Sequence, residues 1–160
     1  MRKIIIIATL IALISGCDSK FAVKAEKLCN SPFESSIELI WCDENYTGSI
    51  VRENSSSIEL SLTSEKLTSE ITYSIKDEGL TIWMEGLEFS MPYQKAPSES
   101  VVIILYESLM LLPQAEISGD KNAAVLSLPK AEITYDNNFD KPVKIKMTDG
   151  ELSFTSFEYL

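Results

Sequence analysis

After Pro32 the apolar positions of the chain recur with a period of two. Ile37, Leu39 and Trp41 alternate with Glu38 and Ile40, and a turn over Asn45 to Gly48 leads to a more polar strand starting at Ile50. Past a loop at Asn54 to Ser57 come Ile58, Leu60 and Leu62, then Ile71, Tyr73 and Ile75, then Leu80, Ile82 and Met84. Leu87, Phe89 and Met91 carry the alternation beyond Gly86. Apolar residues on every second position put one side of each strand on a core and leave the other wet. Polar turns about every ten residues predict an antiparallel sheet built as a meander.

Pro92 and Pro97 end this rhythm. Ser98 is placed to cap a helix, with Glu99 facing the positive end of its dipole. Val101, Leu105, Leu109 and Leu112 make one stripe, and Val102, Ile104, Tyr106, Met110 and Leu111 widen it almost all the way round until Pro113. A helix this apolar has to be covered on most sides, as it would be lying along a concave sheet. Strands then return at Ala124 to Leu128, Ala131 to Tyr135, and Val143, Ile145 and Met147. A two-residue hairpin at Asp149-Gly150 leads to Leu152 and Phe154, then Phe157 and Tyr159. The expected fold is mainly β within an α+β plan: a curved, half-barrel-like antiparallel sheet, one inserted apolar helix and a short N-terminal helix.

The start of the chain is built differently. Arg2 and Lys3 precede an apolar run from Ile4 to Ile14, far short of the roughly 20 residues of a membrane-spanning helix. Such a segment is a secretory signal. Ile14-Ser15-Gly16-Cys17 resembles the lipobox of bacterial lipoproteins. That resemblance implies cleavage between Gly16 and Cys17 and acylation of Cys17, with palmitate-like chains as the anchor. The expected organisation is therefore 1–16 as lipoprotein signal peptide, 17–30 as acylated cysteine, short tether and helix, and 31–160 as one β-rich domain. Phe21, Ala22, Ala25 and Leu28 supply the helical spacing. The protein would sit in the cell envelope, lipid-anchored to the outer face of the cytoplasmic membrane. Asp18 resembles the signal that retains a lipoprotein on the inner membrane, periplasmic side, in Gram-negative cells.

Charge and composition narrow the chemistry. The 160 residues carry 14 Lys and Arg against 24 Asp and Glu, a net charge of −10, which argues against nucleic acid as a partner. Loss of Arg2 and Lys3 would take the mature chain to −12. Such a domain is held to anionic lipid by its acyl chains alone. The chain has no histidine, which removes Ser-His-Asp and Cys-His pairs and HExxH zinc sites. Asp136, Asn138 and Asp140 open like a calcium loop, but Lys141 replaces its glycine and Met147 its bidentate glutamate. No phosphate-binding or nucleophile-elbow motif is present, so neither a catalytic residue, a metal nor a cofactor is expected. Once Cys17 is acylated, Cys29 and Cys42 remain. They either pair in the oxidising envelope or stay as thiols, one of them a small core residue.

The order of elements resembles the half-barrel lipoprotein-carrier fold of the Lol type, over roughly residues 35–160. The likeness rests on Leu80-Thr81-Ile82 with Gly86-Leu87-Glu88-Phe89, the helix around Leu105 to Leu112, Tyr135-Asp136-Asn137-Asn138, and Lys141-Pro142-Val143 through Phe154 to Phe157. It implies a hydrophobic cavity between sheet and helix, for which Trp41, Trp83, Phe89, Val101, Leu105, Leu109 and Leu112 are the candidate lining. Two functions follow as expectations: a non-catalytic module holding a lipid or other apolar ligand, or a packed envelope lipoprotein that meets a protein partner through its acidic surface.

Overall fold

The computed structural model describes residues 27–119, 124–136, 138 and 140–160. The signal segment, Gly16 and Cys17 lie outside them. Residues 27–30 are helical (α1). Six strands follow without interruption: β1 (Phe33–Trp41), β2 (Glu44–Arg52), β3 (Ser57–Thr63), β4 (Ile71–Lys76), β5 (Gly79–Met84) and β6 (Leu87–Pro92). A 3₁₀ turn (Tyr93–Lys95) leads to the helix α2 (Val101–Leu111), which tightens into a second 3₁₀ turn at Leu112–Gln114. The rest is β7 (Glu116–Gly119), β8 (Ala124–Ser127), β9 (Ala131–Tyr135), β10 (Pro142–Met147), β11 (Gly150–Phe154) and β12 (Glu158–Tyr159).

All pairings between these strands are antiparallel, in the order β6-β5-β4-β3-β2-β1-β11-β10-β9-β8-β7. The first strand is therefore central. β11 pairs with its second half, Ile37 facing Phe154 and Trp41 facing Gly150, while β12 pairs with its start, Phe33 facing Tyr159. The expected curved sheet with one inserted helix and a short N-terminal helix is the fold observed.

One face of the sheet carries the core. Cross-strand register aligns Leu39 with Leu152 and Tyr46, Ile50 with Leu60, Leu60 with Tyr73, and Ile145 with Ile133 and Leu152. Most of these side chains are buried, and α2 lies over them with Val101 to Tyr106 all buried. That helix is apolar on almost every side, and only Glu107, Met110 and Leu111 in its second half reach the surface. Phe33, Phe154, Phe157 and Tyr159 close one end, Phe157 stacking on Phe33 at 4.9 Å between ring centroids.

Several local readings are corrected. The β1–β2 turn is Cys42-Asp43, both with positive φ (50° and 65°), and the Asn45 to Gly48 segment lies within β2. Gly48 is there because a Cβ would meet the Ser61 carbonyl oxygen at 1.8 Å. Likewise the last hairpin turns at Thr148-Asp149, and Gly150 begins β11 where a Cβ would lie 2.2 Å from the Ile40 carbonyl oxygen. Both glycines serve close strand approach, not turn geometry. The helix starts at Val101 with Ser100 as its N-cap residue, while the Ser98 hydroxyl donates to Glu99 instead of to the helix. A register shift between Pro142 and Lys144 turns Val143 out to 39% exposure. Strand β7 was not anticipated.

Candidate functional site

Helix length decides how much of the sheet is covered. Eleven helical residues span roughly 16 Å, whereas eleven strands at about 4.8 Å spacing span roughly 50 Å. Curvature brings part of the remainder onto the helix, but one flank is left. On β5 and β6 the core-facing row continues as Leu80 opposite Met91, Ile82 opposite Phe89 and Met84 opposite Leu87. Leu80 is buried, yet Met84, Leu87, Phe89 and Met91 are 37%, 56%, 51% and 36% exposed. The apolar layer of the core thus runs on into an uncovered concave face.

Where this face meets the N-terminal end of α2 there is a cleft of about 160 Å³. Trp41, Tyr46, Leu62, Ile71, Tyr73 and Val101 are among the residues that line it. Burial, reinforced by the neighbouring Tyr46, raises the pKa of the Tyr73 hydroxyl above its ordinary value. The cleft is smaller than the few hundred cubic ångströms of a usual small-molecule pocket. It is a recess at the edge of the open face, beside helix residues that are themselves buried from Val101 to Tyr106.

The sequence-derived lining residues separate into three groups. Trp41 and Val101 meet in the cleft. Leu105, Leu109 and Leu112 are buried in the core. Phe89 shares the concave face but lies out on β6, and Trp83 is on the opposite face, its indole Nε1 donating to Glu88 Oε2 at 3.2 Å. Strict side-chain alternation forces that split, since Trp83 follows Ile82 directly. Tyr46, Leu67, Ile71 and Tyr73 were not anticipated as lining. The signal that could have found them was geometric: a helix too short for the number of strands preceding it.

Cys29 is buried before β1 and Cys42 exposed just after it, and no disulfide joins them. The nine residues of β1 set them roughly 30 Å apart, while a disulfide needs Cα atoms within about 7 Å. The pairing considered from the sequence is therefore not made.

A second depression of about 500 Å³ lies among the β1–β2 and β3–β4 loops, lined by polar residues that include Asp43, Glu44, Glu65 and Lys66. Lys66 is paired there with Glu44. Among the described residues no group of three or more His, Cys, Asp or Glu side chains is placed to hold a metal ion. No described helix is long and apolar enough to cross a membrane.

No family model matches the sequence, and no curated protein is significantly similar to it. Solved structures do share the fold. An uncharacterised conserved protein from Thermus thermophilus superposes with a TM-score of 0.60 at 10% identity, over 90% of this chain and 88% of that one. MucB in complex with periplasmic MucA superposes at 0.45 and 11% identity, and the Pseudomonas aeruginosa MucA/MucB complex at 0.46 and 12%. The alignments take in 89% and 88% of this chain but only 55% and 56% of the matched ones, so the protein spans about half the length of those chains. What the likeness to the Thermus protein establishes is the fold: a mainly β chain with a curved, unclosed antiparallel sheet.

Proposed function

We propose that the protein is a membrane-anchored bacterial lipoprotein whose folded domain is a non-catalytic module for an apolar ligand. Its anchor is an acylated Cys17, exposed by cleavage after Gly16, and its place is the outer face of the cytoplasmic membrane. The observation that carries the binding reading is the uncovered row of Met84, Leu87, Phe89 and Met91, continuous with the cleft beside Trp41 and Val101. Large apolar side chains gathered on one concave patch mark a contact surface. On this reading the ligand lies along the open face. The net charge of −10 favours a second reading, an envelope lipoprotein that meets a protein partner through its acidic surface.

Native mass spectrometry of residues 18–160, produced without the signal segment and purified mildly, separates the two. Retained fatty acid or phospholipid, lost on Phe89→Glu, supports the ligand-binding module. An unliganded mass that gains nothing from added oleate or lysophospholipid would reject it in favour of the protein-partner reading. Loss of membrane association and of palmitate labelling in Cys17→Ser is the expected result for the anchor; retention of both would overturn it.

A further inference from the structure

The two outer strands of the sheet are guarded unequally. β7 has four residues and ends on Gly119, so it offers a short edge. β6 has six residues, all exposed, in unbroken register with β5 from Gly79–Pro92 to Met84–Leu87. Natural edges are blunted by bulges, by lysines or by charges pointing at the core. β6 is guarded only by Glu88, which points to the other face, and by Pro92 at its very end; its core-side residues are Leu87, Phe89 and Met91.

The turn at Glu85-Gly86 closes on the Met84–Leu87 pair, and the Tyr93 amide donates to the Glu78 carbonyl at 3.0 Å. Hydrogen-bonded pairs alternate along an antiparallel ladder, so the backbone groups of Leu87, Phe89 and Met91 turn toward β5. Those of Glu88 and Ser90 therefore face the open edge. Symmetric antiparallel pairing with a second copy has to set outward-facing residues against each other. Centring on Glu88 would put that carboxylate against itself, and centring on Ser90 would put Glu88 against Pro92, which has no N–H. Centring on Phe89 sets Glu88 against Ser90 twice, giving four N–H to C=O bonds with no like charges opposed. Leu87 then faces Met91, and Phe89 faces its own counterpart on the concave side.

We propose that β6 is a homodimer edge, two copies of this chain pairing antiparallel through it with Phe89 on the twofold axis. The exposed apolar rows of the two copies become one continuous trough, whether or not a ligand occupies it. A net charge of −10 on each copy opposes this contact. Raising ionic strength shortens the Debye length, to about 3 Å at 1 M, and so tightens the pairing instead of weakening it.

The test uses the full-length chain in the membranes of the cells producing it, with Cys42→Ser removing the exposed thiol. In the proposed register Phe89→Cys becomes a close, non-hydrogen-bonded pair, with Cα atoms about 4.5 Å apart and within disulfide range. Mild oxidation with diamide should convert most of it to a species of twice the chain mass, more completely at 0.5 M salt than at 0.05 M. Val143→Cys, at a position that is also exposed but lies on β10, should stay monomeric. Adding Ser90→Pro, which removes an edge N–H and, toward β5, only the exposed hydroxyl contact with Thr81, should abolish the Phe89→Cys cross-link while circular dichroism is unchanged. Cross-linking at Phe89→Cys no greater than at Val143→Cys, or persisting at full strength with Ser90→Pro, would overturn the proposal. Neither result bears on whether the isolated domain binds oleate.

Discussion

Arg52 donates through Nη2 to the carbonyl oxygen of Cys29 at 2.7 Å, and this bond fastens the end of α1 to the second strand from inside the core. The same nitrogen reaches the Ser55 carbonyl at 3.0 Å, but among the described residues Nε and Nη1 meet no hydrogen-bond partner. The side chain is completely buried, and desolvation lowers its pKa, with Cys29 and Tyr106 opposing the shift. A buried guanidinium only partly satisfied costs stability that an apolar residue of similar length does not. Arg52→Met is therefore expected within about 1 kcal/mol of the parent in urea unfolding, or above it. Arg52→Ala, which leaves a cavity, should lose about 3 kcal/mol. Equal losses in both variants would show that the charge itself holds the structure.

Among the described residues Tyr135 is the second buried side chain with an unpartnered polar atom, its hydroxyl unbonded and its pKa driven strongly upward by burial. Burial also raises Tyr73, Tyr106 and Tyr159. In each case the folded-state pKa exceeds the unfolded value near 10. Above that pH the unfolded chain sheds protons that the native one keeps, so stability is intact below about pH 10 and falls as pH rises further. With no histidine in the chain, stability should vary little between pH 6 and 8. Tyr135→Phe removes a stranded hydroxyl, and should be neutral or stabilising by up to about 1 kcal/mol at pH 7 with a shallower alkaline decline. A steeper decline in that variant would contradict the assignment.

Three hairpin turns rest on residues in the left-handed region: Cys42 and Asp43, Asp77 and Glu78, and Glu85 with Gly86. Two-residue turns of this geometry favour Asn-Gly, because residues with a Cβ pay about 1 kcal/mol there. Replacing Asp77-Glu78 by Asn-Gly should raise the unfolding midpoint, with a gain of about 1 kcal/mol. Scanning calorimetry measures it directly; a fall would mean that these side chains make contacts outweighing their backbone strain.

Folding and binding should separate between Leu105 and Phe89. Leu105 is a fully buried residue of α2, so Leu105→Ala is expected to cost 2–5 kcal/mol, about the range for core truncations. Phe89 is half exposed, so Phe89→Ser should change stability by no more than about 0.5 kcal/mol while reducing uptake of a fluorescent fatty acid. If Phe89→Ser destabilised the fold as much as Leu105→Ala, the open face would be ordinary core.

Much of the architecture was legible because the alternation was regular. Ile37, Leu39 and Trp41, or Ile58, Leu60 and Leu62, announce strands whose core side is unambiguous, and the all-round apolar surface of 101–112 announces a covered helix. What could not be read was governed by long-range packing. Gly48 and Gly150 look like turn residues, yet their role is set by carbonyls of neighbouring strands, Ser61 and Ile40. Trp83 and Phe89 look alike as candidate lining, but parity along adjacent strands sends one outward and the other inward. The cleft depends on where an eleven-residue helix stops across a wide sheet, and no local periodicity encodes that.

The central place of β1 has a kinetic consequence. Ser35 on this strand bonds the carbonyl of Ser156, 121 residues further along the chain, whereas β1 through β6 pair with one another only as sequence neighbours. The first half can therefore zip up early as a run of hairpins, while the seam against β11 and β12 must wait for the end of the chain. During that interval the unpaired side of β1, with Ile37 and Leu39 beside it, is a bare template for other strands. The speed of that final closure, more than the stability of either half, sets how long a newly emerged chain is open to proteases and to aggregation.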